Sequence, residues 1–408
     1  MKYFAAGILS LIIMLSLPFT ALAQSTSTDT NESNAETADT PQNQPSVSAP
    51  SAILMDADTG TILYTKAENE ERPLASVTKV MTLLLIFEAL DNGKIHLDDT
   101  VTVSEHAAGM GGSQVFLEPN ETQTVETMIK CICVASANDA CVSMAEFLAG
   151  SEDAFVEQMN ERAAALGMNH TRFINSCGLD ADGHYSTAYD IALMSRELTT
   201  HFPEIFDYTN IWMEDITHHT SRGDSTFTLS NTNRLIKQYE YATGLKTGST
   251  SKAKFCLSAT ATKDDINLIA VIMAADDSKL RIADATALFN WGFANCSIFT
   301  DDNTDVLQEI PVTGGQKSSL KIKYQGDFRY LDTSGSTEQL SKTMDLPKTL
   351  AAPVTQEDTV GKAVYHLGET VVGEVPILAA ESIGKLTPKD AWMQLLKIFL
   401  LGSVENAV

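Results

Sequence analysis

The chain has 408 residues, with 53 acidic against 28 basic side chains and a formal net charge of −25 at pH 7. That length exceeds one ordinary domain and implies two globular units with non-globular ends. The acidity is spread without any Lys/Arg-rich block, which argues against a nucleic-acid-binding or polybasic membrane surface.

Met1-Lys2, the apolar run Phe4 to Leu17 and the small-residue stretch Ala21 to Ala23 have the layout of a secretory signal, residues 1–23, with cleavage expected after Ala23. An uncleaved N-terminal anchor is the alternative, and either way the bulk of the chain is expected to be exported. Gln24 to Pro50 is too polar to bury apolar area against its ordering entropy, so residues 24–50 are expected to form a disordered linker. From Ser51 the pattern changes: Ala52 to Met55 and Thr61 to Tyr64 predict two strands around a turn centred on Gly60.

The hairpin leads into Arg72-Pro-Leu-Ala-Ser76-Val-Thr-Lys79, followed by an apolar run from Val80 to Leu90 that predicts a buried helix. Ser76 and Lys79, three residues apart at its start, share a face. Asn92-Gly93 stops this helix, and Gly109, Gly111 and Gly112 mark a loop able to border a cleft. Helices are predicted around Thr124 to Cys133 and from Asn138 to Leu148, which puts Ser136 on the short link between them with its hydroxyl free to project. Phe155 to Leu166 predicts a further helix, and Gly183 to Ala188 leads into another. Gly244-Leu245 precedes the triplet Lys246-Thr247-Gly248, and strand-like runs follow at Lys254 to Ala261 and Ile266 to Ala274.

A serine hydroxyl becomes a nucleophile when a neighbouring base takes its proton, and lysine serves only if its ammonium form is disfavoured. We therefore read Ser76 as nucleophile and Lys79 as base. Lys246 is expected beside Lys79 as a second cation, so that like charge and burial push the Lys79 pKa down. Ser136 is placed to relay a proton to the leaving amine, and the Asn138 amide to accept from Lys79 and donate to a substrate carbonyl.

The ordered set Ser76-x-x-Lys79, Ser136-x-Asn138 and Lys246-Thr247-Gly248 is similar to that of the serine-type penicillin-interacting enzymes. Together with the phrases Phe155 to Met168, Thr171-Arg-Phe173, Gly178-Leu-Asp180 and Gly183 to Ala188, it makes the stretch from about Ser51 to Lys385 resemble a D-alanyl-D-alanine carboxypeptidase of the low-molecular-weight penicillin-binding class. The resemblance implies an α/β (α+β) penicillin-binding fold, an antiparallel sheet between helical regions, over residues 51–298. It implies a substrate, the peptidoglycan stem peptide; inhibitors, the β-lactams; and no cofactor. It also implies an oxyanion hole from the backbone N–H groups of Ser76 and Ser249, and substrate binding along Thr247, Gly248 and Ser249. The substrate's terminal carboxylate would meet Thr247 and Arg281. In one place the chain departs from the pattern: Lys254 stands where the family commonly has glycine, which puts the hairpin's backbone geometry in doubt.

Three alternatives are weighed beside it. A class A-like β-lactamase would carry a Glu-x-x-Leu-Asn phrase between Ser136 and Lys246, and none is present. A non-catalytic wall-binding module would be expected to have lost Ser76 or Lys79. Endopeptidase or transpeptidase action on the same bond type stays open.

His184 is read as structural, because a Ser/Lys pair already has its base. The six cysteines, Cys131, Cys133, Cys141, Cys177, Cys256 and Cys296, lack zinc spacing and are read mostly as core thiols, with a Cys131 or Cys133 to Cys141 pairing left open. No metal is expected. From about 299 to 384 apolar and polar residues alternate between Gly, Asp and Ser breaks, as in a small antiparallel β domain. The last segment, 385–408, holds an amphipathic helix over Leu386 to Leu401, with Asp390, Gln394 and Lys397 on one side and Trp392, Leu395, Leu396 and Phe399 on others. Its apolar run is shorter than the roughly 20 residues of a spanning helix, so it is expected to lie on a membrane surface. Packing on protein is the alternative.

Overall fold

The computed structural model describes residues 44–220 and 223–401. The expected leader, most of the polar linker and the tail past Leu401 lie outside the described residues. The chain from Pro45 onwards belongs to one unit.

The expected hairpin is β1 (Ser51–Asp56) and β2 (Ile62–Lys66), turning at Gly60 with φ +74°. Lys66 sends its ammonium back to the Val47 carbonyl at 2.7 Å. A 3₁₀ turn over Ala75–Thr78 then opens α1 (Lys79–Asp91). Next come β3 (Thr100–Thr102), α2 (Glu105–Ala108), β4 (Thr122–Thr124), α3 (Val125–Val134), α4 (Asn138–Ala149), α5 (Glu152–Ala165), α6 (Ala188–His201) and α7 (Ile205–Thr209). Four of these helices start on side-chain caps: Ser104 accepts from Ala107 N–H, Thr124 from Thr127, Ser151 from Ala154 and Thr187 from Asp190. A hairpin of β5 (Met213–Thr220) and β6 (Gly223–Ser230) and the short α8 (Leu235–Gln238) lead into β7 (Ala242–Thr250), β8 (Lys254–Lys263), β9 (Ile266–Ala275) and α9 (Ser278–Asn295).

β1, β2, β7, β8 and β9 form one antiparallel sheet in the order β2-β1-β9-β8-β7. Successive side chains of a strand face opposite sides, and β1 divides accordingly. Ile53 and Met55 join the large core with α1, α3, α4 and α6, while Ala52 and Leu54 join the core under α9. The sheet is thus sandwiched between helical regions, and β7 is an edge strand whose outer side faces the 3₁₀ turn.

The last residues of the expected 24–50 linker are packed rather than disordered. Val47 and Ala49 are buried, and the Asp284 carboxylate accepts from the N–H of both Ser48 and Ala49. Two small apolar side chains and a distant anchor thus order the last residues of a polar stretch, a partner that local composition does not reveal.

After α9 the chain forms β10 (Ser297–Asp301) through β18 (Thr370–Ala379): β11 (Ile310–Thr313), β12 (Ser319–Leu320), β13 (Ile322–Tyr324), β14 (Phe328–Asp332), β15 (Leu340–Asp345), β16 (Leu350–Ala351) and β17 (Thr359–Leu367) lie between. They make sheets β10-β14, β12-β11-β16 and β13-β18-β17-β15. All pairs are antiparallel except β11 with β16, which is parallel, a departure from the expectation that the long crossover between them permits. Leu331 enters the core under α9, and Arg329 meets Asp58 at 3.1 Å. A final helix, α10 (Pro388–Leu401), follows.

Candidate active site

Ser76 is the second residue of the 3₁₀ turn, and the residue before it, Ala75, has φ +49°, a left-handed conformation uncommon outside glycine. The sharp entry presents Ser76 half-buried while Lys79, one turn on, is fully buried. Lys79 Nζ lies 3.1 Å from Ser76 Oγ, 2.6 Å from Asn138 Oδ1 and 2.7 Å from the Cys177 carbonyl oxygen. Asn138, first residue of α4, also donates its amide Nδ2 to the Gly111 carbonyl at 2.6 Å. The amide thus accepts from Lys79 as expected, while one of its two N–H bonds is spent on the glycine loop rather than left for substrate.

Ser136, with φ +60°, sits on the link between α3 and α4 and accepts from Lys246 Nζ at 2.8 Å. Lys246 also donates to its own neighbour's carbonyl, Thr247 O, at 3.0 Å, and Thr247 Oγ1 is 2.8 Å from Thr232 Oγ1. The glycine of the triplet has a steric reason: a Cβ on Gly248 would stand 2.8 Å from Leu74 O and 2.9 Å from Ser76 N. Only a bare backbone lets edge strand β7 come this close to the turn, and exposed Ser249 follows Gly248 by one residue.

Arg281 lies in the first turn of α9 and reaches back over β8, donating through Nη1 to Gly248 O at 3.0 Å and Cys256 O at 3.1 Å. It is 7% exposed, its Nε has no hydrogen-bond partner, and among the described residues no carboxylate pairs with it. All nine residues singled out in the sequence are therefore joined in one constellation by hydrogen bonds, chain adjacency or close backbone approach.

Burial pushes the Lys79 amine below the ordinary lysine value. Burial likewise drives Lys246 well below it, with the charge of Lys79 adding to the effect. The expected like-charge effect is thus felt at Lys246, while desolvation accounts for Lys79. All six cysteines are unbridged; five are buried, and burial raises the thiols, to about 12 at Cys133 and Cys141. Lys254 has φ +55°, so the lysine adopts the backbone conformation that the missing glycine would have supplied, and the β7–β8 hairpin keeps its pairing.

A sheet between helices, carrying a serine and two buried lysines at its edge, defines a serine-type penicillin-interacting enzyme. A family model described as D-alanyl-D-alanine carboxypeptidase matches residues 37–277, and one described as the C-terminal domain of penicillin-binding protein 5 matches residues 297–385. The chain belongs to the D-alanyl-D-alanine carboxypeptidase family, a family of hydrolases. It is 40% identical over 341 residues to the D-alanyl-D-alanine carboxypeptidase DacF of Bacillus subtilis, covering 83% of this chain and 86% of that one. With DacC of Escherichia coli it shares 32% identity over 357 residues, 83% of this chain and 85% of that one. The crystal structure of penicillin binding protein 5 from Haemophilus influenzae superposes with a TM-score of 0.70 at 30% identity, over 84% of this chain and 99% of that one.

Sequence reasoning did not find Cys177, Thr78, Thr232 or Gly178. The carbonyl of Cys177 contributes, so its side chain gives no signal. Gly178 was visible only as part of a phrase; a Cβ there would stand 2.0 Å from Ala75 O.

Proposed function

We propose that this chain removes the terminal D-alanine from peptidoglycan stem peptides through an acyl-enzyme on Ser76. Lys79, as free amine, takes the hydroxyl proton while Ser76 Oγ attacks the penultimate carbonyl. The backbone N–H groups of Ser76 and Ser249 receive the oxyanion. The proton passes by way of Ser136 and Lys246 to the departing D-alanine nitrogen, and water then cleaves the ester. Thr247 and the buried, carboxylate-free Arg281 take the substrate's terminal carboxylate. The observation that carries this reading is the buried Lys79 amine, 3.1 Å from Ser76 Oγ and held by two further oxygens. β-Lactams would acylate the same oxygen.

The domain reading completes the proposal: a leader removed after Ala23, a short tether, a D,D-peptidase domain to about 298, a β domain to about 384, and α10 lying on the outer face of a cell membrane. Among the described residues no helix is long and apolar enough to cross one. The apolar side chains Trp392, Met393, Leu395, Leu396 and Phe399 of α10 are all exposed, which supports an interfacial role.

Mass spectrometry after mixing with a labelled penicillin, together with D-alanine release from a D-Ala-D-Ala peptide, tests the assignment. The adduct should map to Ser76, and Ser76→Ala should abolish both signals; an adduct on any other residue overturns it.

A further inference from the structure

A buried hydrogen-bond chain runs beneath the turn that carries Ser76 and ends on His184. The Ile174 N–H donates to His184 Nδ1 at 3.0 Å. A ring nitrogen that accepts carries no proton, so the neutral imidazole holds its hydrogen on Nε2 and donates it to Thr78 Oγ1 at 2.8 Å. The Thr78 hydroxyl in turn donates to the Ala75 carbonyl at 2.8 Å. Burial pushes His184 down to about 4, which keeps the ring neutral around pH 7. Gly178 packs against the same pair, since a Cβ there would stand 2.0 Å from the Ala75 oxygen and 2.8 Å from Thr78 Oγ1.

A peptide unit is planar and trans, so its C=O and N–H point in opposite directions. Holding the Ala75 carbonyl inward therefore turns the next group, the Ser76 N–H, outward to the edge of β7, across the left-handed φ of +49° at Ala75. We propose that His184 is a positioning residue for this oxyanion donor: acting through Thr78, it fixes the Ala75–Ser76 peptide plane and so aims the Ser76 N–H at the negative charge that develops on the substrate oxygen. The inference rests on Ser76 being the acylated serine. It assigns His184 no proton transfer, and it gives a function to Thr78, which lies inside the Ser-x-x-Lys motif without being one of its two chemical residues.

Glutamine carries an N–H donor group and a carbonyl acceptor on one side chain, whereas leucine has neither. Thr78→Val removes the hydroxyl at nearly constant shape. Stopped-flow acylation by a fluorescent penicillin separates the acylation rate constant from the initial dissociation constant. Loss of a whole oxyanion donor costs about 100- to 1000-fold in rate. A misaimed one should cost about 10- to 100-fold, in both His184→Leu and Thr78→Val, with the dissociation constant held within about twofold. His184→Gln should recover to within about threefold of the parent. Parent-like rates in His184→Leu and Thr78→Val overturn the proposal. So does slow acylation that His184→Gln fails to rescue, or a dissociation constant that rises as much as the rate falls. Thermal melts accompany each variant, and if His184→Leu does not fold, Thr78→Val decides. Ser76→Ala is run alongside: acylation persisting there would overturn the serine assignment itself, a result distinct from failure of the brace.

Discussion

Lys79 Nζ donates to the main-chain oxygen of Cys177 at 2.7 Å. That oxygen can only accept, and so can Asn138 Oδ1 at 2.6 Å on another side of the amine. A neutral amine has two N–H bonds and one lone pair. With both hydrogens taken by obligate acceptors, the lone pair is left for the third partner, the Ser76 hydroxyl at 3.1 Å, which can donate. Burial sets which protonation state is favoured, and the two carbonyl groups set where the lone pair points.

A pH dependence follows, with its sign. The base works deprotonated, so the acylation rate should rise with pH and level off at an apparent pKa below the ordinary lysine value of 10.5. Lys79→Arg, which stays cationic, should lose the rising limb and about 100- to 10,000-fold in rate. A pH–rate profile of penicillin acylation checks this; a limb still climbing through 10.5 would place the proton elsewhere. Stability follows by linkage. A lysine whose pKa is lowered by folding binds more protons in the unfolded chain between the two pKa values, so its contribution to stability rises with pH through that window.

The side chains that the structure gathers around Ser76 were legible where they stand at fixed spacing. Ser76 and Lys79 at i and i+3, Ser136 on an interhelical link and Lys246 ahead of a glycine all announce themselves by type. What escaped notice is carried by backbone or by distant partners. The Cys177 carbonyl, the close approach of Gly178 to Ala75 and the Asp284 anchor for Ser48 and Ala49 leave no mark on local pattern. The hairpin of β5 and β6 was missed for a related reason: over Met213–Thr220 only Ile216 and His218 are buried, so little of the strand is apolar.

Lys254 provides a test of backbone strain separated from catalysis. At φ +55° a bulky L-residue costs about 1–2 kcal/mol. Glycine relieves that strain but loses about 0.5–1 kcal/mol to unfolded-chain entropy. It also gives up the exposed Lys254–Asp276 pair of 2.7 Å, a type of contact worth about 0–1 kcal/mol. Lys254→Gly should therefore stay within about 1 kcal/mol of the parent, whereas β-branched Lys254→Val should lose about 1–2 kcal/mol more. Urea unfolding measures both. Acylation rates should stay within about twofold in each, since Lys254 pairs with Thr250 and Asp276, neither of them among the nine site residues.

Arg281 should be selective for substrates with a free terminus. Its guanidinium has no carboxylate partner among the described residues, and its Nε is unpaired. A charge-assisted hydrogen bond contributes about 1.5–3 kcal/mol, so Arg281→Ala should lower kcat/KM for a D-Ala-D-Ala peptide by about 10- to 100-fold. The same peptide amidated at its C-terminus should lose far less. Equal losses on both would assign Arg281 to holding Gly248 and Cys256 in place rather than to binding substrate.

The last prediction concerns α10 and where a truncation has to fall. Lys385 bridges to Gly315, and Leu386 N–H donates to the Gly314 carbonyl at 2.8 Å, so both residues belong to the β domain's edge. A cut before Leu386 would disturb that edge, whereas a cut after Thr387 removes only the helix and tail. On α10, Trp392 is 65% and Phe399 88% exposed, with Leu395 at 62%. Burying such side chains in an interface is worth about 1.5–3 kcal/mol each at most. This apolar contribution does not weaken with ionic strength, and the net charge of −25 leaves little electrostatic attraction to anionic lipid for salt to screen. The intact protein should therefore float with lipid vesicles in both low and high salt. The form ending at Thr387 should remain in solution, with penicillin acylation within about twofold of the parent. Equal flotation of the two forms, or loss of flotation at high salt alone, would show that α10 is not the apolar anchor.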